Sequence, residues 1–338
     1  MRRRVLCGAA QLLGLLATLS AAAQSYTWQL PRGFPIPAVP ADNPMSDAKV
    51  ALGRRLFFEP RLSVTGRYSC ASCHDPTRSY SDGRRLAVGA TGEALASNAL
   101  ALVNVAYNIS FGWDKPKVGS LEAQMRQPMF STHPIELGLA GRATAVCTEL
   151  AQEPRYRDAF AAAFPADPAV SLDHLIKAIA AFERTLIFGR SAFDRYVFQG
   201  DHGALSGEAR RGLALFFSAR SGCSGCHSGI NFSGNWRDAQ GATGAASFAR
   251  NGTTPTPLRV PTLRNIALTA PYMHDGRYAT LAQVLEHYSQ LGQRGALPDR
   301  RLPHVAFSVS ERLELIAFLE SLSDASVSEP AALAQAAR

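Results

Sequence analysis

At 338 residues the chain is long enough for about two ordinary domains, and its 46% apolar and 9% aromatic content can supply a buried core. The formal charge of +8 does not point to nucleic acid, because no basic run with interleaved aromatics occurs in the sequence. Gly (27) and Pro (20) are spread along the chain, a distribution that suits short helices joined by long loops.

Residues 1–23 read as a cleavable signal peptide. Arg2, Arg3 and Arg4 precede an apolar stretch from Leu12 to Leu19, and Ala21-Ala22-Ala23 before Gln24 forms a small-residue cleavage site. A membrane anchor is the rival reading, but the apolar run is short for the roughly 20 residues a span needs. The expected location is therefore the periplasm. Without the three arginines, 32 basic residues face 27 acidic ones, a balance of +5. Residues 24–46 read as an extended arm over the surface, since Tyr26 to Pro44 is rich in Pro and lacks periodicity.

From Asp47 the pattern turns helical, with Val50, Leu52, Leu56 and Phe57 predicted to face inward. A first lobe is expected over 47–200. It contains Cys70-Ala-Ser-Cys73-His74 and a helix with Leu172, Leu175, Ile176, Ile179, Phe182 and Leu186 at helical spacing. A second lobe, over 201–325, repeats the order. Leu205 to Phe217 predicts a helix, with Leu213, Phe216 and Phe217 near its end, and Cys223-Ser-Gly-Cys226-His227 follows. Gly53-Arg-Arg-Leu-Phe-Phe58 and Gly212-Leu-Ala-Leu-Phe-Phe217 are one phrase, read as internal duplication rather than chance because the same motif follows each. Ser228 to Thr256 reads as a mobile loop. Leu313, Ile316, Leu319 and Leu322 predict a last helix, and 326–338 a disordered tail. Few stretches alternate, so strands should be few and short.

Of six cysteines, Cys7 falls in the signal and four lie in the two CxxCH motifs, which leaves Cys147 as an inert core residue. CxxCH has a direct rationale: two thiols add across the haem vinyl groups and the next residue offers an imidazole to the iron. A zinc site would need four ligands at recurring spacing, and nothing else here supplies them. The fold class expected is therefore mainly α, two cytochrome c-like lobes each with one covalent haem c. Four haem propionates would bring the charge near +1. The chemistry then turns on the sixth position of each iron, for which His133, His174, His202, His274, His287, His304, Met273 and several tyrosines are candidates. Two filled positions would make an electron carrier, whereas an open one would bind and cleave peroxide.

From about Pro44 to Leu322 the chain resembles the bacterial dihaem cytochrome c peroxidase and MauG superfamily. The resemblance rests on the paired motifs and on Val260-Pro-Thr-Leu-Arg-Asn-Ile-Ala-Leu-Thr-Ala-Pro-Tyr-Met-His-Asp-Gly276. In the peroxidases a histidine in a Val-Gly-His context caps the resting first haem. Here Val88-Gly89-Ala90 stands instead, which implies a five-coordinate first haem on His74, as in MauG. In the peroxidases the second haem takes a methionine about fourteen residues past the histidine matched by His274, and MauG uses a tyrosine there. The resemblance thus implies Tyr288 as the second ligand of the haem on His227, with Met273 and His287 as rivals. A phenolate favours oxidised iron over reduced iron.

The resemblance further implies Trp113 as a charge relay between the haems, against a plain core tryptophan. It implies Gln124, Pro128 and Glu136 as the distal pocket of the first haem, with Glu136 as acid/base. The spacing from Pro128 to Glu136 is longer here than in the peroxidases. Asn98, Thr269 and Pro271 would hold a calcium ion, which suits oxygen donors.

Tyr26-Thr-Trp-Gln-Leu-Pro31, Pro37 to Pro44 and Gly138 to Gly141 are similar to the MbnH branch of MauG-like enzymes. That branch uses peroxide to oxidise a tryptophan of a small copper-binding partner, MbnP, to kynurenine. The linker from His227 to Val260 is short by comparison, with Phe232, Trp236 and Phe248 its only aromatics. The expected function is a peroxide-dependent dihaem oxidoreductase that forms a high-valent bis-haem state and oxidises a partner residue. The alternatives are a dihaem peroxidase fed by a small cytochrome c or cupredoxin, and a non-enzymatic carrier.

Overall fold

The structure, a computed structural model, describes residues 26–114, 118–234, 236–237, 239, 243–244, 248–249, 258–294 and 305–328. The signal segment therefore lies outside the described residues, as do His304 and the tail beyond 328.

The first lobe is built on α1 (Asp47–Phe57), α2 (Leu121–Phe130), α3 (Ala143–Gln152), α4 (Pro154–Ala163) and α5 (Leu172–Glu183). Ser46 starts α1 by accepting the Lys49 N–H at 3.2 Å. The predicted inward residues Val50, Leu52, Leu56 and Phe57 are all buried. Leu52, Leu56 and Phe57 join one core with Leu175, Ile176, Ile179 and Phe182 of α5, and each such burial is worth about 1.5–3 kcal/mol. Gly53 lets the two helices cross closely: a Cβ there would sit 1.8 Å from the Ala178 carbonyl oxygen.

The second lobe repeats this seam with α7 (Gly207–Phe216) and α9 (Val309–Glu320), and a Cβ on Gly212 would sit 1.8 Å from the Glu314 carbonyl oxygen. Its core gathers Phe216, Phe232, Leu315, Phe318, Leu319 and Leu322, with Leu281 and Leu285 of α8 (Leu281–Arg294).

The duplication extends beyond the shared phrase. Asn104 (φ +58°) and Asn265 (φ +57°) both open a 3-10 turn from the left-handed region. The Asn104 N–H reaches the Leu186 carbonyl at 2.8 Å, and its Oδ1 accepts from Phe188 N at 2.7 Å. The Asn265 N–H reaches the Leu322 carbonyl at 3.1 Å, and its Oδ1 accepts from Asp324 N at 2.7 Å. In each lobe one asparagine thus ties the haem-motif loop to the end of the lobe's last helix.

Three boundaries differ from the sequence reading. Phe193 of α6 (Ala192–Phe198) joins the second core, so that lobe begins before 201. The expected tail begins too early: Ala325–Ser328 is a 3-10 turn whose Val327 is buried against the first lobe. Within the 228–256 loop, Trp236–Arg237 pairs with Thr243–Gly244, and Phe248–Ala249 pairs with Leu258–Arg259, both antiparallel.

Leu313, at helical spacing with Ile316, Leu319 and Leu322, is nevertheless 61% exposed, and Phe217, just past α7, is 49% exposed. The glycine seam turns the Leu315–Phe318–Leu319 face of α9 inward and leaves Leu313 on the other side. The arm packs rather than floats. Tyr26 and Trp28 lie against Met45, Val50 and Ala181. Tyr107 donates its hydroxyl to the Pro35 carbonyl at 2.7 Å, and the Arg264 guanidinium stacks over Phe34 at 4.8 Å. Cys147 is buried on α3, as expected of an inert thiol.

Candidate active site

Both motifs fold alike. Cys70–Ser72 and Cys223–Gly225 are 3-10 turns, and His74 N and His227 N each reach back to the first cysteine's carbonyl at 2.9 Å. His74 Nδ1 bonds the Tyr80 carbonyl at 2.9 Å, and His227 Nδ1 bonds the Phe232 carbonyl at 2.8 Å. A carbonyl can only accept, so each Nδ1 carries the proton and Nε2 keeps its lone pair. Burial holds both imidazoles toward the neutral form, His227 down at about 4, and a neutral ring is what a metal requires. Burial likewise raises the Cys70, Cys73 and Cys223 thiols, Cys73 to about 11, with the Asp82 and Glu136 charges adding to it there. Two thiols on one turn beside a tautomer-fixed imidazole fit a covalently held haem in both lobes.

A cavity of about 250 Å³ opens beside the second motif. Cys223, Cys226 and His227 line one part, and Met273, His287 and Tyr288 line another. All three rival ligands thus reach the same space. They differ in surroundings. Burial raises the Tyr288 phenol to about 12, with smaller contributions from Cys223, Cys226 and Tyr278. His287 is pushed toward neutrality by burial and by Arg277, and its ring lies 5.2 Å from that of Tyr278. Met273 holds φ +69° and its carbonyl accepts the Asn98 amide at 2.7 Å. His274 also lines the cavity, with its ring 6.3 Å from that of Trp113.

The other candidate histidines stand elsewhere. His174 stacks on Phe164 at 4.1 Å, His202 lies edge-on to Tyr196, and His133 is exposed.

On the first motif's side, Cys73 Sγ lies 3.8 Å from the Val88 carbonyl. Ala90 is buried, and its N–H donates to the Glu136 carbonyl at 2.7 Å. Gly89 permits this approach, since a Cβ there would sit 1.8 Å from the Ile135 carbonyl oxygen. Pro128 sits inside α2 and lacks the amide that would bond Gln124's carbonyl. Beyond it the Pro128 carbonyl accepts from Leu137 N at 2.9 Å, which draws the 135–139 segment alongside α2. Gln124 Oε1 is buried with no hydrogen-bond partner among the described residues, and such an atom usually awaits a bound group.

Trp113 lines the large cavity and also a smaller one of about 70 Å³. Asn98, Thr269 and Pro271 line the smaller one together. Asn98 turns its amide nitrogen to the Met273 and Pro271 carbonyls, at 2.7 and 3.5 Å, and its amide oxygen with backbone carbonyls is the kind of donor a hard cation takes. Two lining residues escaped sequence reading. Asp82 contributes a buried Oδ2 without a partner, and Arg259 belongs to both cavity walls. Neither stands in a motif whose spacing would mark it.

The comparisons agree with this geometry. A family model described as di-haem cytochrome c peroxidase matches residues 47–203. The chain is 36% identical over 301 residues to the methylamine utilization protein MauG of Methylorubrum extorquens, covering 87% of this chain and 82% of that protein. It is 32% identical to the cytochrome c551 peroxidase of Nitrosomonas europaea, covering 86% and 84%. A crystal structure of a MauG-like protein associated with microbial copper homeostasis superimposes with a TM-score of 0.85 at 33% identity, covering 90% of this chain and 97% of that one.

Proposed function

The chain belongs to the di-haem cytochrome c peroxidase and MauG family, an oxidoreductase family with two haems c, and on that premise we propose that it is a modifying enzyme of MauG type. It would use hydrogen peroxide to oxidise a residue of a partner protein. When bound, the haems supply the cleavage of peroxide and the storage of its two oxidising equivalents. The remaining roles fall to the chain.

Gln124 offers its unpartnered Oε1 to a peroxide O–H entering the first pocket. Glu136 takes that proton at its carboxylate and returns it to the leaving oxygen. Trp113, which lines both cavities, would relay charge between them. His74 and His227 would hold the two haem irons through Nε2, and the Tyr288 phenolic oxygen would hold the second as well, where a phenolate favours oxidised iron. Asn98, Thr269 and Pro271 would hold a calcium ion.

The observation that carries this reading over the peroxidase one is Ala90. It cannot ligate iron, and its backbone is tied to Glu136. The candidate partner is a small exported copper-binding protein whose tryptophan becomes kynurenine. Support comes from the likeness to a MauG-like protein associated with copper homeostasis. Export to the periplasm through residues 1–23 belongs to the same proposal, and among the described residues no helix is long and apolar enough to cross a membrane.

The test is electron paramagnetic resonance of the ferric protein before and after one equivalent of hydrogen peroxide. One high-spin and one low-spin signal, both lost on addition, support the proposal. Two low-spin signals indifferent to peroxide would leave a carrier. A second reading, a peroxidase drawing electrons from a small cytochrome c, rests on the family model and the cytochrome c551 peroxidase likeness. Sustained oxidation of a reduced cytochrome by peroxide would favour it.

A further inference from the structure

Two arginines five residues apart are sealed inside the protein, Arg259 at 5% exposure and Arg264 at 2%. Arg264 is compensated: its guanidinium bonds both oxygens of Asp194 at 2.8 and 2.9 Å and the Ile230 carbonyl at 2.7 Å. Arg259 is not. No ion pair to it occurs among the described residues, and its Nε is buried without a hydrogen-bond partner. Burial alone pulls its guanidinium down to about 10, with no carboxylate to offset it. A buried cation left in this state is strongly disfavoured unless an anion joins it.

The place narrows the anion. Arg259 lines both the cavity beside Cys223, Cys226 and His227 and the smaller cavity next to it, together with Trp113. Its own N–H donates to the Trp113 carbonyl at 2.6 Å, so the residue is fixed at that junction. The other cations on these walls are committed or outside. Arg277 closes on Asp275 at 2.6–2.9 Å, and Arg84 is exposed. The cavity's histidines, His227, His274 and His287, are all pushed toward neutrality by burial. A haem attached at the second motif would bring two carboxylates into this space, and Arg259 is the uncommitted cation on its wall; the Asp82 carboxylate, whose Oδ2 is unpartnered, lines only the smaller cavity.

We propose that Arg259 is the buried counter-charge of a haem carboxylate at the second site and that it sets the reduction potential of that haem. The proposal rests on the reading that two haems are attached. A cation in a low-dielectric wall disfavours the more positive, oxidised iron. It also keeps the carboxylate ionised, so that reduction of the haem draws no proton.

The test compares R259Q and R259K with the parent holoprotein. Haem content is measured by intact mass, and the midpoint of each haem by spectroelectrochemistry across pH. Expected for R259Q are two attached haems, a lowered midpoint at the second haem and a pH dependence of that midpoint absent from the parent, with the first haem unmoved. R259K should stay close to the parent. If R259Q carries both haems and its second midpoint and pH profile match the parent, Arg259 is packing and the inference falls. It falls equally if neither variant retains the second haem, because charge would then not be what the site requires. A parent protein without two haems would instead overturn the underlying reading.

Discussion

The indole N–H of Trp113 donates to the backbone carbonyl of Asn98 at 3.0 Å. Asn98 in turn takes the His274 carbonyl on its own N–H at 2.9 Å and gives its amide to Met273 at 2.7 Å. The tryptophan is therefore wired into the loop that separates the two cavities. Any buried tryptophan needs a partner for its N–H. What sets this one apart is that it lines both cavities.

Substitution of Trp113 by Phe keeps the apolar bulk and removes the N–H and the more oxidisable ring. The expected outcome is two haems attached, peroxide binding retained, and equilibration between the haems slowed at least tenfold in stopped-flow absorbance. Unchanged kinetics would reduce Trp113 to packing.

Tyr288→Phe removes one oxygen from the second cavity. Both haems should remain attached, the low-spin resonance of the second haem should change, and the peroxide-oxidised state should decay several-fold faster. Met273→Leu and His287→Gln should leave that resonance in place. If His287→Gln moves it and Tyr288→Phe does not, the sixth ligand is the histidine.

Gly53→Ala and Gly212→Ala each force a Cβ to within 1.8 Å of a backbone carbonyl oxygen. Backbone cannot yield as a flexible side chain can, so each change should cost at least about 1–3 kcal/mol. Denaturant melts followed at each haem's absorbance should show the loss mainly in the mutated lobe. A loss below about 0.5 kcal/mol would mean the seams are looser than their geometry.

Glu59 sets an acid limit on the first lobe. Burial works against its carboxylate, yet hydrogen bonds from Arg61 and Tyr156 more than offset this and hold it down at about 2. The folded value lies below the unfolded one. Its contribution is therefore complete above the ordinary carboxylate value and lost as pH falls from about 4.5 to about 2. A contribution on the order of 1–3 kcal/mol is expected. Glu59→Gln should lower stability at pH 7 and flatten the acid limb of a melting curve. An acid limb identical to the parent's would assign acid sensitivity to other groups.

Much of this was legible in the sequence. Two thiols and a histidine at fixed spacing define a haem site without reference to the fold, and the phrases from Gly53 to Phe58 and from Gly212 to Phe217 marked helices that cross in the same way. Other features depend on three-dimensional surroundings. Met273, His287 and Tyr288 all line one cavity, and helical periodicity cannot rank adjacent residues around a space wide enough for both. Leu313 has the spacing of a core residue, but the depth of the Gly212 crossing decides which stripe of α9 faces in. Arg259 and Arg264 look alike as letters, and only the location of Asp194 separates a paired charge from an unpaired one. Asn104 and Asn265 sit in short, unremarkable phrases whose equivalence emerges from their backbone angles.

The repeated seam also divides labour between parts of the chain. In both lobes the duplicated pieces, a glycine-notched helix, the CxxCH turn and an asparagine turn, make up only the attachment side. The opposite side is furnished by material that is not duplicated: α2 and the 135–139 segment in one lobe, α8 in the other. Changing what faces the iron therefore need not disturb how the iron is carried. One duplicated holder can keep its scaffold unchanged while the material around its two copies diverges.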